Sequence, residues 1–100
     1  MPELEKYSND INQLCLAHNV KRLYAFGSVL TDKFAANSDI DFIVDFEHVE
    51  ANQYADNYYD FKFSLEKILH RSVDLLEGKA IKNPYFLQVI NNQRQLVYGY

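Results

Sequence analysis

The sequence predicts an α+β domain, with four short strands in one mixed sheet and helices packed on it. Three stretches carry this prediction. Residues Ile40 to Phe46 are β-branched, aromatic and acidic by turns, which is the pattern of a strand with two unlike faces. Tyr54, Tyr58, Phe61, Leu65 and Ile68 recur at helical spacing and form one apolar stripe on a long helix. Asn83-Pro84 pairs a capping residue with a proline at the first helical position, so it opens a last helix.

The elements follow in order. Pro2 suits a first helical turn. Leu4, Tyr7, Ile11, Leu14 and His18 continue at helical spacing, so residues 3–18 read as one amphipathic helix that stops at Asn19. His18, near its end, reads as a partner for the negative helix terminus. Lys21 to Phe26 is the first strand and stops at Gly27-Ser28. Val29 to Phe34 reads as one or two helical turns, and residues 35–38 as a loop. Asp39 to Phe46 is the second strand. The long helix ends at His70 and Arg71, two side chains that suit its C-terminus. Ser72 to Glu77 is the third strand, broken by Gly78. Tyr85 to Asn92 is the last helix and Gln95 to Tyr98 the last strand.

Length and composition bound the function. One hundred residues form one domain of ordinary size, residues 1–100. An apolar share of 48%, with 8 Tyr and 7 Phe, is enough for a core. The net charge is −4 and no basic run exists, so neutralising a nucleic-acid backbone is not the main task. Cys15 is the one cysteine, which excludes a disulfide framework and suits a small core residue. No apolar run reaches membrane-spanning length, and the expected location is the cytoplasm.

The chemistry concentrates in the second strand. Alternation puts Asp39, Asp41, Ile43 and Asp45 on one face, and Ile40, Phe42, Val44 and Phe46 on the other. The second face is wholly apolar and must be buried. Asp39 and Asp41 lie about 7 Å apart at their Cα atoms. Two carboxylates so close repel each other unless a cation lies between them. An all-oxygen pair suits Mg²⁺ or Mn²⁺ rather than zinc. The bland reading is a solvated turn capped by Ser38-Asp39. A calcium loop also starts with alternating oxygen ligands, but Ile43 stands where that loop needs glycine.

Gly27-Ser28, ten residues, then Asp39-x-Asp41 resembles the signature of the DNA polymerase β-like nucleotidyltransferases. The match is closest to the minimal nucleotidyltransferases, many of them antitoxins paired with HEPN toxins. The resemblance runs from Leu23 to about Tyr98. It implies a two-layer sandwich in which a mixed sheet carries the helices. It also implies two Mg²⁺ or Mn²⁺ ions on three carboxylates: Asp39 and Asp41 on both, Asp74 on the one beside the attacking hydroxyl. Gly27 and Ser28 match the loop that grips the β- and γ-phosphates. The reaction implied is attack of an acceptor hydroxyl on the α-phosphate of a nucleoside triphosphate, with ATP expected. In the antitoxin branch the acceptor is a Tyr of the HEPN toxin.

For Gly27-Ser28 to face the aspartates, the first two strands must be antiparallel. The long helix is an adequate crossover, so the second and third strands can be parallel. Asp74 then comes beside Asp39 and Asp41. Its alternative is an exposed residue on an edge strand. Many relatives carry an Arg after the Gly-Ser, whereas Val29-Leu30-Thr31-Asp32-Lys33 has none. Lys33 is the nearest cation, either a point charge for phosphate or a solvated loop lysine. With no second domain in view, the acceptor site belongs to a partner protein. Tyr59 and Phe63 lie off the main stripe, covered by a neighbouring helix or exposed to a toxin or a second copy. The two functions that remain are a protein-modifying nucleotidyltransferase and a non-catalytic antitoxin that neutralises by contact alone.

Overall fold

The computed structural model describes residues 2–31, 33–35 and 37–99. Asp32 of the expected helical turns and Ala36 of the expected loop lie outside the described residues. Helix α1 (Pro2–Glu5) and helix α2 (Ser8–Ala17) lead into strand β1 (Val20–Phe26). A single 3₁₀ turn (Gly27–Leu30) and a loop precede strand β2 (Ile40–Phe46). Helix α3 (Tyr54–Leu69), strand β3 (Val73–Glu77), helix α4 (Pro84–Gln93) and strand β4 (Gln95–Tyr98) complete the chain.

The sheet order is β3-β2-β1-β4. β1 runs antiparallel to β2 and to β4, and β2 parallel to β3, so the sheet is mixed, as expected. Direct cross-strand neighbours share a face. Phe26 stands opposite Asp41, Tyr24 opposite Ile43 and Asp41 opposite Asp74. The other face carries Leu23, Ala25, Ile40, Phe42, Val44, Phe46, Val73 and Leu75, all buried. Helices α2 and α3 cover that face through Ile11, Cys15, Phe61, Leu65 and Leu69, all buried. Phe61 sits edge-on to Phe46, with ring centroids 6.0 Å apart.

The single N-terminal helix expected over residues 3–18 is two. It breaks at Lys6 and Tyr7, where the Tyr7 N–H still donates to Leu4 O (3.0 Å) and Tyr7 O accepts from Ile11 N (2.9 Å). Ser8, Asn9 and Asp10 follow directly, and such residues compete with the helix for backbone partners. Leu4 and Ile11, on either side of the break, are both buried in the core. The expected stop at Asn19 holds, with that residue in the left-handed region at φ 58°. His18 does more than face a helix end. Its Nδ1 lies 2.8 Å from Leu14 O and its Nε2 2.7 Å from Asp60 Oδ2, so it ties α2 to α3. Asn57 Nδ2 donates to His18 O at 2.9 Å.

β3 is an edge strand, and α3 supplies partners for its outer groups. Glu66 Oε2 accepts from Val73 N at 2.8 Å, and the Tyr58 hydroxyl donates to Leu75 O. Such bonds take up groups that otherwise template a foreign strand. Among the described residues no helix is long and apolar enough to cross a membrane.

Candidate active site at the carboxylate end of the sheet

The site begins where β1 ends. Gly27 has φ +77°, a conformation that strains any residue with a side chain. A Cβ there would lie 2.5 Å from Asp41 Oδ2. The Asp41 carboxylate therefore rests against the Gly27 backbone, and glycine alone leaves it room. The turn that follows is closed on itself: Ser28 O accepts from both Thr31 N and Thr31 Oγ1 at 2.9 Å. It is shorter and begins earlier than the expected Val29–Phe34 turns, because Val29 is drawn into the core. Lys33 follows, exposed, its N–H donating to Thr31 Oγ1 at 3.2 Å.

Asp41 and Asp74 are direct neighbours across the parallel pair and face the same side. Asp39 immediately precedes β2. The three groups interact: burial raises the Asp41 carboxyl above its ordinary range, and the charges of Asp74 and then Asp39 raise it further. Proximity of this kind, all oxygen and all negative, is what a hard divalent cation binds. The convergence expected of the three is partial, however. Among the described residues no three His, Cys, Asp or Glu side chains are gathered closely enough to form a ligand set as they lie. Asp39 and Asp74 are both exposed, while Asp41 is partly buried between them.

Arg71 holds the loop that presents Asp39. Its Nη1 donates to Ala35 O (2.7 Å) and Ser38 O (3.0 Å), and the guanidinium lies 4.1 Å from the centroid of the Phe34 ring. Ser38 Oγ accepts from Ala35 N at 3.0 Å, and Ile40 N donates to Ser72 O at 3.1 Å. The sequence suggests for Arg71 only a helix-end role. Its reach to carbonyls 33 and 36 positions earlier leaves no periodic signal in the chain.

Helix α4 lies on the carboxylate face. Phe86 meets Phe26 edge-on at 6.5 Å, and the Arg94 guanidinium stacks 4.1 Å from the Tyr24 centroid. Between them Ile90 and Ile43 are buried and border the same groove. Ile43 is thus the apolar residue among the aspartates, under α4, while Asp41 stays beyond the helix N-terminus, half-exposed. A concavity of about 550 Å³ lies at the start of β1, beside Asn12, Lys21 and Glu47.

Known proteins share this fold. Residues 9–100 match the family described as Polymerase beta, Nucleotidyltransferase. A Methanocaldococcus jannaschii protein named "Putative protein adenylyltransferase MJ1379" is 35% identical over 81 residues, 81% of this chain and 78% of that protein. A chain of the complex between tri-AMPylated Shewanella oneidensis HEPN toxin and MNT antitoxin superposes with TM-score 0.66 at 20% identity. The match covers 96% of this chain and 72% of that one. A chain of a toxin–antitoxin complex solved with AMP-PNP gives TM-score 0.72 at 23% identity, covering 93% and 73%. At such identities these two complexes speak for the fold. The family match spans both the Gly27-Ser28 turn and the three aspartates, and the chain belongs to the polymerase β nucleotidyltransferase family.

Proposed function

We propose that this protein is a Mg²⁺-dependent nucleotidyltransferase that moves a nucleoside monophosphate, AMP from ATP, onto a hydroxyl of a partner protein. The observation that carries this reading is the packing of the Asp41 carboxylate against the Gly27 backbone, with Asp74 beside it on the same face. It brings a phosphate-sized turn and an electrostatically coupled set of carboxylates to one end of the sheet. The Gly27 and Ser28 N–H groups and the Ser28 hydroxyl hold the β- and γ-phosphates, and Lys33 adds a point charge. Asp39, Asp41 and Asp74 would hold two divalent ions, once Asp39 and Asp74 turn toward Asp41; bound ions would supply a lowered acceptor hydroxyl pKa and charge neutralisation for the departing pyrophosphate. The acceptor oxygen bonds to the α-phosphorus, the bond to pyrophosphate breaks, and Asp74, exposed on the edge strand, receives the proton.

The relatives point to the partner. One structural neighbour is a complex of an MNT antitoxin with a tri-AMPylated HEPN toxin; by that analogy the partner is a HEPN toxin, and the family resemblance makes the acceptor one of its Tyr hydroxyls. The test is incubation with labelled ATP, Mg²⁺ and the product of the neighbouring gene. Label should pass to the partner, and Asp39→Asn with Asp41→Asn should stop it. Label that stays in ATP would refute the activity.

A second reading is an antitoxin that acts by contact alone. It is favoured by the stacked, exposed pair Tyr59 and Phe63, 52% and 57% accessible with centroids 6.0 Å apart. Among the described residues no helix covers them, so the pair forms an apolar patch on α3 for a toxin or a second copy of the chain. The two readings separate in the Asp39, Asp41 and Asp74 triple asparagine variant. Full neutralisation of the partner by that variant would establish the contact reading.

A further inference from the structure

The first turn of α4 stands beside the phosphate end of the sheet and carries exposed aromatic rings. Tyr85 is 80% accessible and Phe86 40%. Phe86 touches Phe26 edge-on at 6.5 Å. Phe26 directly precedes Gly27 and stands opposite Asp41 in the β1–β2 ladder. The Phe86 ring therefore lies against the side chain that adjoins the Gly27-Ser28 turn and pairs with Asp41. Its position is rigid. Asn83 Oδ1 accepts from Tyr85 N (2.9 Å) and Phe86 N (3.3 Å), which closes the first turn, and Ile90 and Arg94 pin the rest of the helix to the sheet. The edge-on contact with Phe26 is made while much of the Phe86 ring remains open to solvent.

We propose that Phe86 is the stacking platform for the base of the bound nucleotide. This rests on the nucleotide-site reading above and adds to it the residue that recognises the nucleoside. Gly27 and Ser28 address only phosphate, and the carboxylates address only cations, so neither contributes affinity for the base. A π-face contributes it without regard to base identity, since every base has one. The ring therefore contributes affinity to ATP and GTP alike and none to inorganic triphosphate, so any preference for ATP in the transfer itself arises elsewhere.

The experiment compares Mg²⁺-dependent binding of ATP, GTP and tripolyphosphate by calorimetry, in the full chain and in Phe86→Leu and Phe86→Trp. Leucine keeps apolar packing on Phe26 and removes the ring; tryptophan keeps a ring. Phe86→Leu should weaken ATP and GTP about tenfold or more, as loss of a base stack does, and leave tripolyphosphate unchanged. Phe86→Trp should bind all three like the parent. An equal loss for all three ligands would make Phe86 a structural residue and overturn the proposal, as would no loss for ATP. Failure of the parent chain to bind either ATP or tripolyphosphate would instead overturn the nucleotide site itself, and the platform with it.

Discussion

Replacing Gly27 by Ala tests how the site is built. Two costs follow from the structure. The φ of +77° puts an L-residue in the left-handed region, at about 1–2 kcal/mol. The new Cβ would lie 2.5 Å from Asp41 Oδ2, so the carboxylate must leave its rotamer, at about 0.5–1.5 kcal/mol. The total is about 1.5–3.5 kcal/mol, or roughly 6–28 °C in Tm for a domain of this length. The two costs can be separated. In an Asp41→Ala background the clash disappears and only the backbone cost of about 1–2 kcal/mol remains. In an Asp41→Asn background the clash persists, because the amide has the same shape. Urea melts followed by circular dichroism on all six chains measure the coupling. An equal loss from Gly27→Ala in the parent and Asp41→Ala backgrounds would refute the claim that the Asp41 carboxylate packs on the turn.

Three further outcomes are expected. The folded-state pKa of Asp41 is raised, first by burial and then by Asp74 and Asp39, so the native chain keeps this proton to higher pH than the unfolded one. Its effect on stability is most favourable below the ordinary Asp range and is lost as pH rises through the raised value; Asp41→Asn should therefore raise Tm at pH 7 and leave it unchanged at strongly acid pH, and an equal shift at both would contradict the repulsion. Phe61→Ala should cost roughly 3–5 kcal/mol in denaturant melts, because the ring is buried between Phe46 and His18, 6.0 and 5.6 Å from their centroids; a loss under about 1 kcal/mol would mean the stripe is misplaced. Arg71→Gln should cost about 1–2 kcal/mol and speed amide exchange at Ser38, whose N–H donates to Ala35 O beside the clamp; unaltered exchange there would show that the loop holds itself.

The chain alone determined the strands, the long helix and the turn, because each is a local pattern. Alternation in residues 40–46 is a consequence of the pleat, and the apolar face of Ile40, Phe42, Val44 and Phe46 is buried as alternation requires. The stripe from Tyr54 to Ile68 follows helical pitch in the same way, with Phe61 and Leu65 buried and Tyr54, Tyr58 and Ile68 packed against the core. Even the parallel neighbours Asp41 and Asp74 could be reasoned out, since a crossover helix separates their strands. What the tertiary structure decided was contact between distant segments. Ile43 shares a face with the aspartates, and only the placement of α4 makes it a buried residue. Arg71 ends a helix in the sequence and anchors the Asp39 loop in space. Tyr59 and Phe63 had a covered and an exposed reading, and only the packing of α2 against α3 leaves them exposed. Local periodicity fixes which way a side chain points from its own backbone; what it meets there depends on elements that arrive from elsewhere in the chain.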